Sequence, residues 1–339
     1  EEQAFSSIEY IMRDVDYGWV IRYMHTTGAS LFFAVVYLHM FRGLLYGSYQ
    51  KPKELVWIFG CTIYLAMMAE GFLGYVLPYG QMSYWGAQVI ISLFGAIPYI
   101  GESLELWVRG DYYISGITVS RFFALHVVAL PLVLIALVFL HLVALHEVGA
   151  GNPEGVDIEE HLDDDGVPLD SVPFFPYKVL NALVAIGVFM TVFSIIMFFF
   201  PEGGGYFIEM ANFQEANPLV TPDHIAPVWY YAPFYTMLRA IPDPLGGLIV
   251  MAAAVAIFFI VPWLDRSKVA SIRYKGIFSK IAITMFGVSF LTLGYLGTVG
   301  VTEIRKTMSV VCTIIYFAYF LLMPIYTKYE TTKQVPDRL

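Results

Sequence analysis

Seven apolar stretches, each long enough to cross a lipid bilayer, constrain this chain more than any other feature of its sequence. A helix needs about 20 residues to span the hydrocarbon core of a bilayer. Backbone polar groups in lipid must be paired within the protein, and the alternating pattern of barrel strands is absent, so helices are predicted. They are placed at residues 17–46, 55–76, 117–146, 178–200, 246–264, 278–298 and 308–327.

The composition agrees with an all-α, polytopic membrane protein. Of the 339 residues, 58% are hydrophobic and only 14% are charged, far from the average of a soluble domain. The net charge of −9 comes largely from an acidic loop at residues 153–165, and nucleic-acid binding is not indicated. Cys61 and Cys312 stand alone in apolar segments, which gives no support to disulfides, a zinc site or covalently attached haem.

Three stretches between the spans are predicted to lie outside the bilayer. Residues 82–110 are amphipathic and interrupted by Gly and Pro, which predicts a short helical hairpin at the membrane interface. Residues 147–177 are polar and acidic, as in an extramembrane loop. Residues 201–245 are rich in Pro and aromatic residues, with a short helix predicted at 231–241, and a loop of this length is usually functional.

The distribution of Lys and Arg indicates the orientation of the chain. If the first span runs from outside to inside, twelve of the 19 basic residues lie on the inner side and seven on the outer side, which is the favoured arrangement. The loops at 82–110 and 201–245 then face the outside together. The acidic loop at 151–177 faces the cytoplasm and separates an N-terminal part, 1–150, from a C-terminal part, 178–339.

Four histidines lie inside two of the apolar stretches, in matched pairs. Fourteen residues separate His25 from His39, and fifteen separate His126 from His141. On a helix either interval is close to a whole number of turns, so each pair shares roughly one face and its members lie ~21 Å apart. One span separates the two helices, so they run in the same direction. His25 and His126 are therefore expected near the outer face, and His39 and His141 near the inner face.

Several kinds of site would use such histidines. One buried histidine can simply bind a backbone carbonyl, but ionisable groups in a membrane are costly, and four at matched depth argue for a function. Imidazole pairs also bind copper or zinc. Axial ligation of haem iron needs only two imidazoles, so a di-haem helical bundle is the favoured interpretation.

Small and basic residues near the histidines fit this interpretation. Gly60 and Gly74, fourteen residues apart on the intervening helix, would leave room for a flat macrocycle. Arg22 and Arg121 on the outer side and Arg42 on the inner side would pair with haem propionates. Each arginine alone would equally suit an interfacial role, with its charge reaching the lipid headgroups.

Six long motifs stand out along the chain: AFSSIEYIMRDVDYGWVIRYMH (4–25), YLHMFRGLLYGSY (37–49), GYVLPYGQMSYWGAQVI (74–90), RFFALH (121–126), HLVALHEVGAGNP (141–153) and HIAPVWYYAPFYTMLRAIP (224–242). With these motifs the chain resembles cytochrome b of the respiratory cytochrome bc1 complex, in a bacterial form, over nearly its whole length. The family has a further helix upstream, so eight spans are expected in the full protein and residues are expected before Glu1. The C-terminal part is expected to contribute three helices after the long outer loop.

The resemblance implies a quinol–cytochrome c reductase of the bacterial inner membrane. Quinol would be oxidised at an outer site, with one electron passing to a Rieske iron–sulfur protein and the other through two non-covalent b haems to quinone at an inner site, coupled to proton translocation. The resemblance assigns the low-potential haem to His25 and His126 and the high-potential haem to His39 and His141. Cytochrome c1, lipid and a second copy of the complex are further partners implied.

The resemblance also implies quinone-site residues. The outer site would be formed by residues that match the family's Pro-Glu-Trp-Tyr motif and other pocket positions, with one residue near the Rieske docking surface: Pro227, Val228, Trp229, Tyr230, Phe72, Tyr75, Gly80, Gly86 and Tyr235. The inner site would include His146. Simple packing is an alternative role for the aromatic residues, and helix capping is an alternative for His146.

The chain departs from the family pattern at several positions. Val228 replaces the glutamate that is usually offered as the proton acceptor for quinol, and a valine takes no proton. Glu70, two residues before Phe72, is the hypothesised substitute, although bonding to a tyrosine or the backbone is an equal alternative. The stretch at 176–181 is short, so the family's inner-site aspartate is not identified, and Tyr79 stands where the family commonly has Trp.

Two other functions compete with this one. A di-haem membrane anchor of a dehydrogenase or hydrogenase would lack the outer quinol-oxidising loop, whereas this chain has the segment HIAPVWY at 224–230. A transporter that relays protons through its histidines would show no b-type absorbance.

Overall fold

Long apolar helices make up most of the computed structural model, which describes residues 3–339. Within these described residues, seven helices are long and apolar enough to cross a membrane, as the hydropathy predicts. They are α2 (Gly18–Leu45), α3 (Glu54–Val76), α6 (Gly116–Val148), α7 (Val179–Phe199), α9 (Pro244–Leu264), α10 (Ile277–Thr298) and α11 (Glu303–Leu321). The shorter helices are α1 (Ala4–Arg13), α4 (Gln81–Ser92), α5 (Gly101–Arg109), α8 (Ala232–Ala240) and α12 (Met323–Tyr329). Residues 3–339 contain no β-strand, so the all-α class is confirmed.

The predicted boundaries were wrong by more than a turn only at the last span. Helix α11 begins at Glu303, because the Thr302 hydroxyl accepts a hydrogen bond from the backbone N–H of Arg305 and caps the helix. The first turn of α11 carries charged residues, so a prediction from hydropathy places the start of this helix at residue 308, five residues too late. The helix ends at Leu321, and a separate helix with Pro324 in its first turn continues from Met323.

The interfacial elements follow the predicted pattern, with one addition. Helices α4 and α5 form the hairpin predicted at 82–110, and α8 is the short helix predicted at 231–241. Helix α1 was not predicted, because its ten residues mix apolar and polar side chains and fall short of a span. It packs against the start of α2, where a Cβ on Gly18 would lie 1.8 Å from the carbonyl oxygen of Ile11. Only glycine permits this approach.

A π-helical turn at Leu125–Ala129 interrupts α6 and contains His126. Such a turn holds one more residue than an α-helical turn. The next turn begins with Leu130 and Pro131, and Pro131 has no N–H to donate back along the helix. The extra residue accounts for the interval of fifteen between His126 and His141, where α2 has an interval of fourteen.

A buried aromatic core joins the N-terminal helices to the C-terminal ones. Its members come from α2, α3, α8, α9, α10 and α11. The polar ends of these rings are satisfied: the Trp57 indole donates to the Phe258 carbonyl at 2.7 Å, and the Tyr316 hydroxyl donates to the Ala254 carbonyl at 2.7 Å. This core fixes the outer loop and α8 against the side of α2 and α3.

The loops gather at the two ends of the bundle as the topology requires. At one end, the Gln81 side chain donates to the Val220 carbonyl, and the backbone N–H of Ser83 donates to the Asn212 side chain at 2.8 Å. These bonds join the start of α4 to the 201–245 loop. At the other end, Lys275 forms a buried ion pair with Asp265, which also accepts a hydrogen bond from Tyr49 at 2.7 Å. The loops predicted to share a side therefore meet.

Candidate functional site

The structure brings the four histidines together as two facing pairs. The ring centroids of His25 and His126 are 6.1 Å apart, with ring planes at 89°. Those of His39 and His141 are 6.4 Å apart, with ring planes at 75°. Two imidazoles bound on opposite sides of one metal ion at about 2 Å each leave their nitrogen atoms about 4 Å apart, with the ring centres one ring radius farther out on each side. Both pairs have the spacing of axial ligands to one iron ion.

A large apolar cavity of about 920 Å³ opens beside the outer pair. It lies between α2, α3, α6 and α7, and both His25 and His126 line it together with Gly28, Gly71 and Phe189. This volume is at the upper end of the range for cofactor sites, about 300–1,000 Å³. A flat hydrophobic macrocycle therefore fits the space and the donor set at the outer pair.

The two predicted glycines lie against the histidine rings. A Cβ on Gly74 would lie 2.4 Å from Cε1 of His126, and a Cβ on Gly60 would lie 3.4 Å from Cε1 of His141. The missing side chains thus make room for the imidazoles themselves. Gly28 and Gly71 are the glycines that line the cavity, and the sequence reasoning missed both.

The rings of the two paired histidines on α6, His126 and His141, lie close to the backbone of α3. His126 Nδ1 is 3.0 Å from the Glu70 carbonyl oxygen and 3.0 Å from the Glu70 carboxylate oxygen Oε1. His141 Nδ1 is buried without a hydrogen-bond partner in residues 3–339, and the backbone of Val56 lies close to the same imidazole. With hydrogen on Nδ1, each ring presents Nε2 to a metal.

The three predicted arginines occupy different surroundings. Arg22 lies one turn before His25 and is half-buried, so it remains available to an anionic group of a bound cofactor. Arg42 is exposed and lies over the Tyr46 ring at 5.6 Å. Arg121 donates to the Trp107 carbonyl at 2.9 Å and so ties α6 to the end of α5.

A second apolar cavity, of about 530 Å³, lies on the opposite side of α3. Four predicted outer-site residues line it, each from a different element: Phe72 of α3, Gly86 of α4, Pro227 of the outer loop and Tyr235 of α8. A Cβ on Gly86 would meet no atom within 4 Å, so this glycine faces open space. We call this cavity the outer pocket.

The other predicted outer-site residues lie elsewhere. Tyr230 is buried and stacks on Phe33 with centroids 3.9 Å apart, and Trp229 lies near Ser30, 3.3 Å from its hydroxyl. Val228 packs against the aromatic core, and Gly80 approaches Asn212. The Ser83 hydroxyl donates a hydrogen bond to the Tyr75 carbonyl at 2.6 Å. Together, these contacts hold the outer loop and α4 in place. His146 is exposed near the end of α6.

Glu70 points away from the outer pocket. Two residues correspond to about 200° around a helix, so Glu70 and Phe72 face opposite sides of α3. Its carboxylate lines the cavity of the outer histidine pair, where it contacts His126. This placement is at odds with the hypothesis that Glu70 takes a proton from quinol bound against Phe72.

Tyr231 is an outer-pocket residue that the sequence reasoning missed. It lines the cavity, and its hydroxyl donates to the Met68 carbonyl at 2.7 Å. Tyr235 is fixed in a similar way, because its hydroxyl donates to the Ile225 carbonyl at 3.0 Å and Arg239 lies over its ring at 4.5 Å. The motif drew attention to Tyr230, whereas its neighbour faces the pocket.

Two family models match most of the chain. The one described as Cytochrome b/b6/petB covers residues 1–149, and the one described as Cytochrome b(C-terminal)/b6/petD covers residues 215–317. Together they include both histidine pairs and the outer pocket.

Several proteins are similar to this chain over almost its entire length. Cytochrome b of Allochromatium vinosum is 56% identical over 99% of this chain and 83% of its own length. Cytochrome b of Rickettsia bellii is 47% identical over 100% of this chain and 82% of its own length. A solved structure titled Hyperthermophilic respiratory Complex III superposes with a TM-score of 0.90 at 35% identity, covering 97% of this chain and 84% of that one.

Proposed function

Because the chain belongs to the cytochrome b family and is the cytochrome b of an enzyme like respiratory complex III, we propose that it oxidises quinol in the outer pocket and sends the two electrons along different routes. One electron goes to a Rieske iron–sulfur protein docked outside. The other crosses the membrane to quinone near the inner face. The proposal rests mainly on one observation. The pocket of about 530 Å³ lies on one side of α3, and His25 and His126, at a spacing that fits one metal ion between them, lie on the other side.

Two b haems are the cofactors proposed for the histidine pairs. His25 and His126 would hold the outer haem, and His39 and His141 the inner one, with Arg22 close to the outer pair. When bound, the two haems supply one-electron carriers between the two faces of the membrane. The chain's own residues fix the imidazole rings, exclude water from the cavity and set the separation of the two sites.

The outer pocket is suited to a neutral quinol ring. Phe72 and Pro227 offer apolar surface, and Gly86 leaves room for the ring beside α4. Among residues 3–339, the pocket lining contains two tyrosines, Tyr231 and Tyr235, and no carboxylate. With Val228 in place of an acid, the first proton acceptor is proposed to come from outside the pocket lining, either from a docked partner or from water.

The remaining partners are proposed from the family. Cytochrome c1 and a second copy of the complex would complete the assembly, with lipid around the apolar faces. The inner quinone site, near His146, would take up protons from the cytoplasm, so that turnover translocates protons across the bacterial inner membrane. The activity is then that of a quinol–cytochrome c reductase.

Two histidine variants test this function. His126→Leu is expected to remove one of two b-type haems and to abolish quinol-driven reduction of cytochrome c in purified complex. His161→Leu, in the acidic loop, is the matched control and is expected to keep both haems and the activity. Full quinol oxidation by the His126→Leu complex would refute the proposal. Copurification of a Rieske protein distinguishes this enzyme from a di-haem anchor subunit.

A further inference from the structure

Helix α3 presents a similar backbone arrangement to His126 and His141 of α6. Gly60 lies against His141 and Gly74 against His126, fourteen residues apart. Four residues before each glycine, the backbone lies close to the same imidazole. The Glu70 carbonyl oxygen is 3.0 Å from His126 Nδ1, and the backbone of Val56 lies beside the ring of His141, whose Nδ1 has no hydrogen-bond partner in residues 3–339. Val56 and Glu70 are therefore equivalent positions of one repeated pattern.

The two equivalent positions carry chemically different side chains. The Glu70 carboxylate oxygen Oε1 lies 3.0 Å from His126 Nδ1, so this nitrogen has an anionic acceptor in addition to the backbone carbonyl. The second carboxylate oxygen, Oε2, is buried with no hydrogen-bond partner in residues 3–339. Val56 is buried and offers His141 no carboxylate. The outer pair thus has a negative neighbour that the inner pair lacks.

We propose that Glu70 is a positioning residue for His126 that makes the outer haem harder to reduce than the inner haem. The inference rests on the proposed function. A carboxylate that accepts from Nδ1–H fixes the tautomer and ring orientation of a metal-bound histidine and makes it a more basic ligand. A more basic ligand and a nearby negative charge both favour the oxidised, more positive iron. Glu70 therefore separates the two potentials in the direction that drives electrons from the outer side to the inner side.

The placement of Glu70 distinguishes this role from catalysis on quinol. Its carboxylate lines the histidine cavity, whereas its neighbours Ala69 and Phe72 line the outer pocket on the other side of the helix. Glu70 has no contact with the pocket where quinol is proposed to bind. Its effect should appear in the properties of one haem before it appears in substrate binding.

The test is a redox titration of the purified complex carrying Glu70→Gln. The amide keeps the size of the side chain and removes its charge. The equilibrium constant for reduction of the outer haem is expected to rise about tenfold, which is 59 mV for a one-electron couple. The inner haem should keep its potential. Glu54→Gln, at the first turn of the same helix, is the control and should shift neither haem. A change of less than twofold at the outer haem, or equal shifts at both haems, would overturn the proposal.

The reciprocal variant Val56→Glu tests the equivalence directly. It places a carboxylate beside His141, so the inner haem is expected to become harder to reduce while the outer haem is unchanged. If Glu70→Gln loses its outer haem, Val56→Glu decides the matter. An unshifted inner haem in Val56→Glu, or haem loss in both variants, overturns the proposal. Wild-type complex without two b-haem steps would instead overturn the proposed function itself.

Discussion

Replacing Gly74 with alanine should remove the outer haem while leaving the inner one in place. The added Cβ would lie 2.4 Å from Cε1, 2.8 Å from Nδ1 and 2.9 Å from Nε2 of His126. The methyl group meets the ring face broadly, so a rotation of the ring does not relieve the contact. At the equivalent position, a Cβ on Gly60 would lie 3.4 Å from His141, close to an ordinary contact.

The size of the effect follows from these distances. Carbon atoms pack at about 3.5–4.0 Å, so the His126 ring must move by about 1 Å or more to accept the methyl group. Metal–ligand distances are held to about ±0.2 Å, so a ring displaced this far would no longer reach an iron ion held by His25 in the proposed site. Loss of a supporting contact alone costs about 10–100-fold in metal affinity, and loss of ligand geometry should exceed that.

The assay is the haem-to-protein ratio and the reduced spectrum of purified complex. Gly74→Ala is expected to retain one b haem, with the potential of the inner one, and to lose quinol oxidation. Gly60→Ala should retain two haems. Gly187→Ala on α7, where a Cβ meets nothing within 4 Å, controls for the general effect of alanine in a helix. Two haems with wild-type potentials in Gly74→Ala would refute the assignment of His126 as a ligand.

Two further predictions concern the outer pocket and the buried ion pair. Gly86→Phe should fill the outer pocket and lower quinol oxidation at least tenfold while both haem potentials stay unchanged; normal turnover would place the substrate elsewhere. Asp265→Asn should lower the free energy of unfolding by about 3–5 kcal/mol at pH 7, because it leaves Lys275 buried without its counter-ion. Burial raises the pKa of Asp265, but the charge of Lys275 and the hydrogen bonds from Lys275, Ser267 and Tyr49 together outweigh burial and lower this pKa. The stabilisation is therefore complete above the ordinary aspartate pKa and lost as the pH falls below it. Thermal melts of Asp265→Asn, compared at several pH values with melts of the exposed control Glu160→Gln, check both points. Equal melting temperatures for the two variants at pH 7 would contradict them.

Hydropathy and helix periodicity are sufficient to predict the spans, because both depend on local composition. The same periodicity, together with the direction of the helices, pairs His25 with His126 and His39 with His141 from the amino-acid sequence alone. The unequal intervals signal one extra residue in α6, but its location depends on how the turn before Pro131 opens. The location therefore depends on local hydrogen bonding, about which hydropathy gives no information.

The direction of side chains on α3 could not be predicted with the same reliability. Helix periodicity alone puts Glu70 and Phe72 on opposite sides of α3, but only the packing of α3 between two cavities decides which cavity each side faces. The motif at 227–230 likewise indicated a loop that lines the outer pocket, but Pro227 lines this pocket while Tyr230 is buried against Phe33. Family motifs place segments, and tertiary contacts assign the roles within them.

The most direct test of the central claim is a potentiometric titration of purified complex that follows the reduced b-type absorbance. The account predicts two haems for each copy of this chain, reduced in two one-electron steps at separated potentials. It also predicts that quinol added to the oxidised complex reduces them. A single step, or a complex without b-type absorbance, would contradict the assignment of the two histidine pairs.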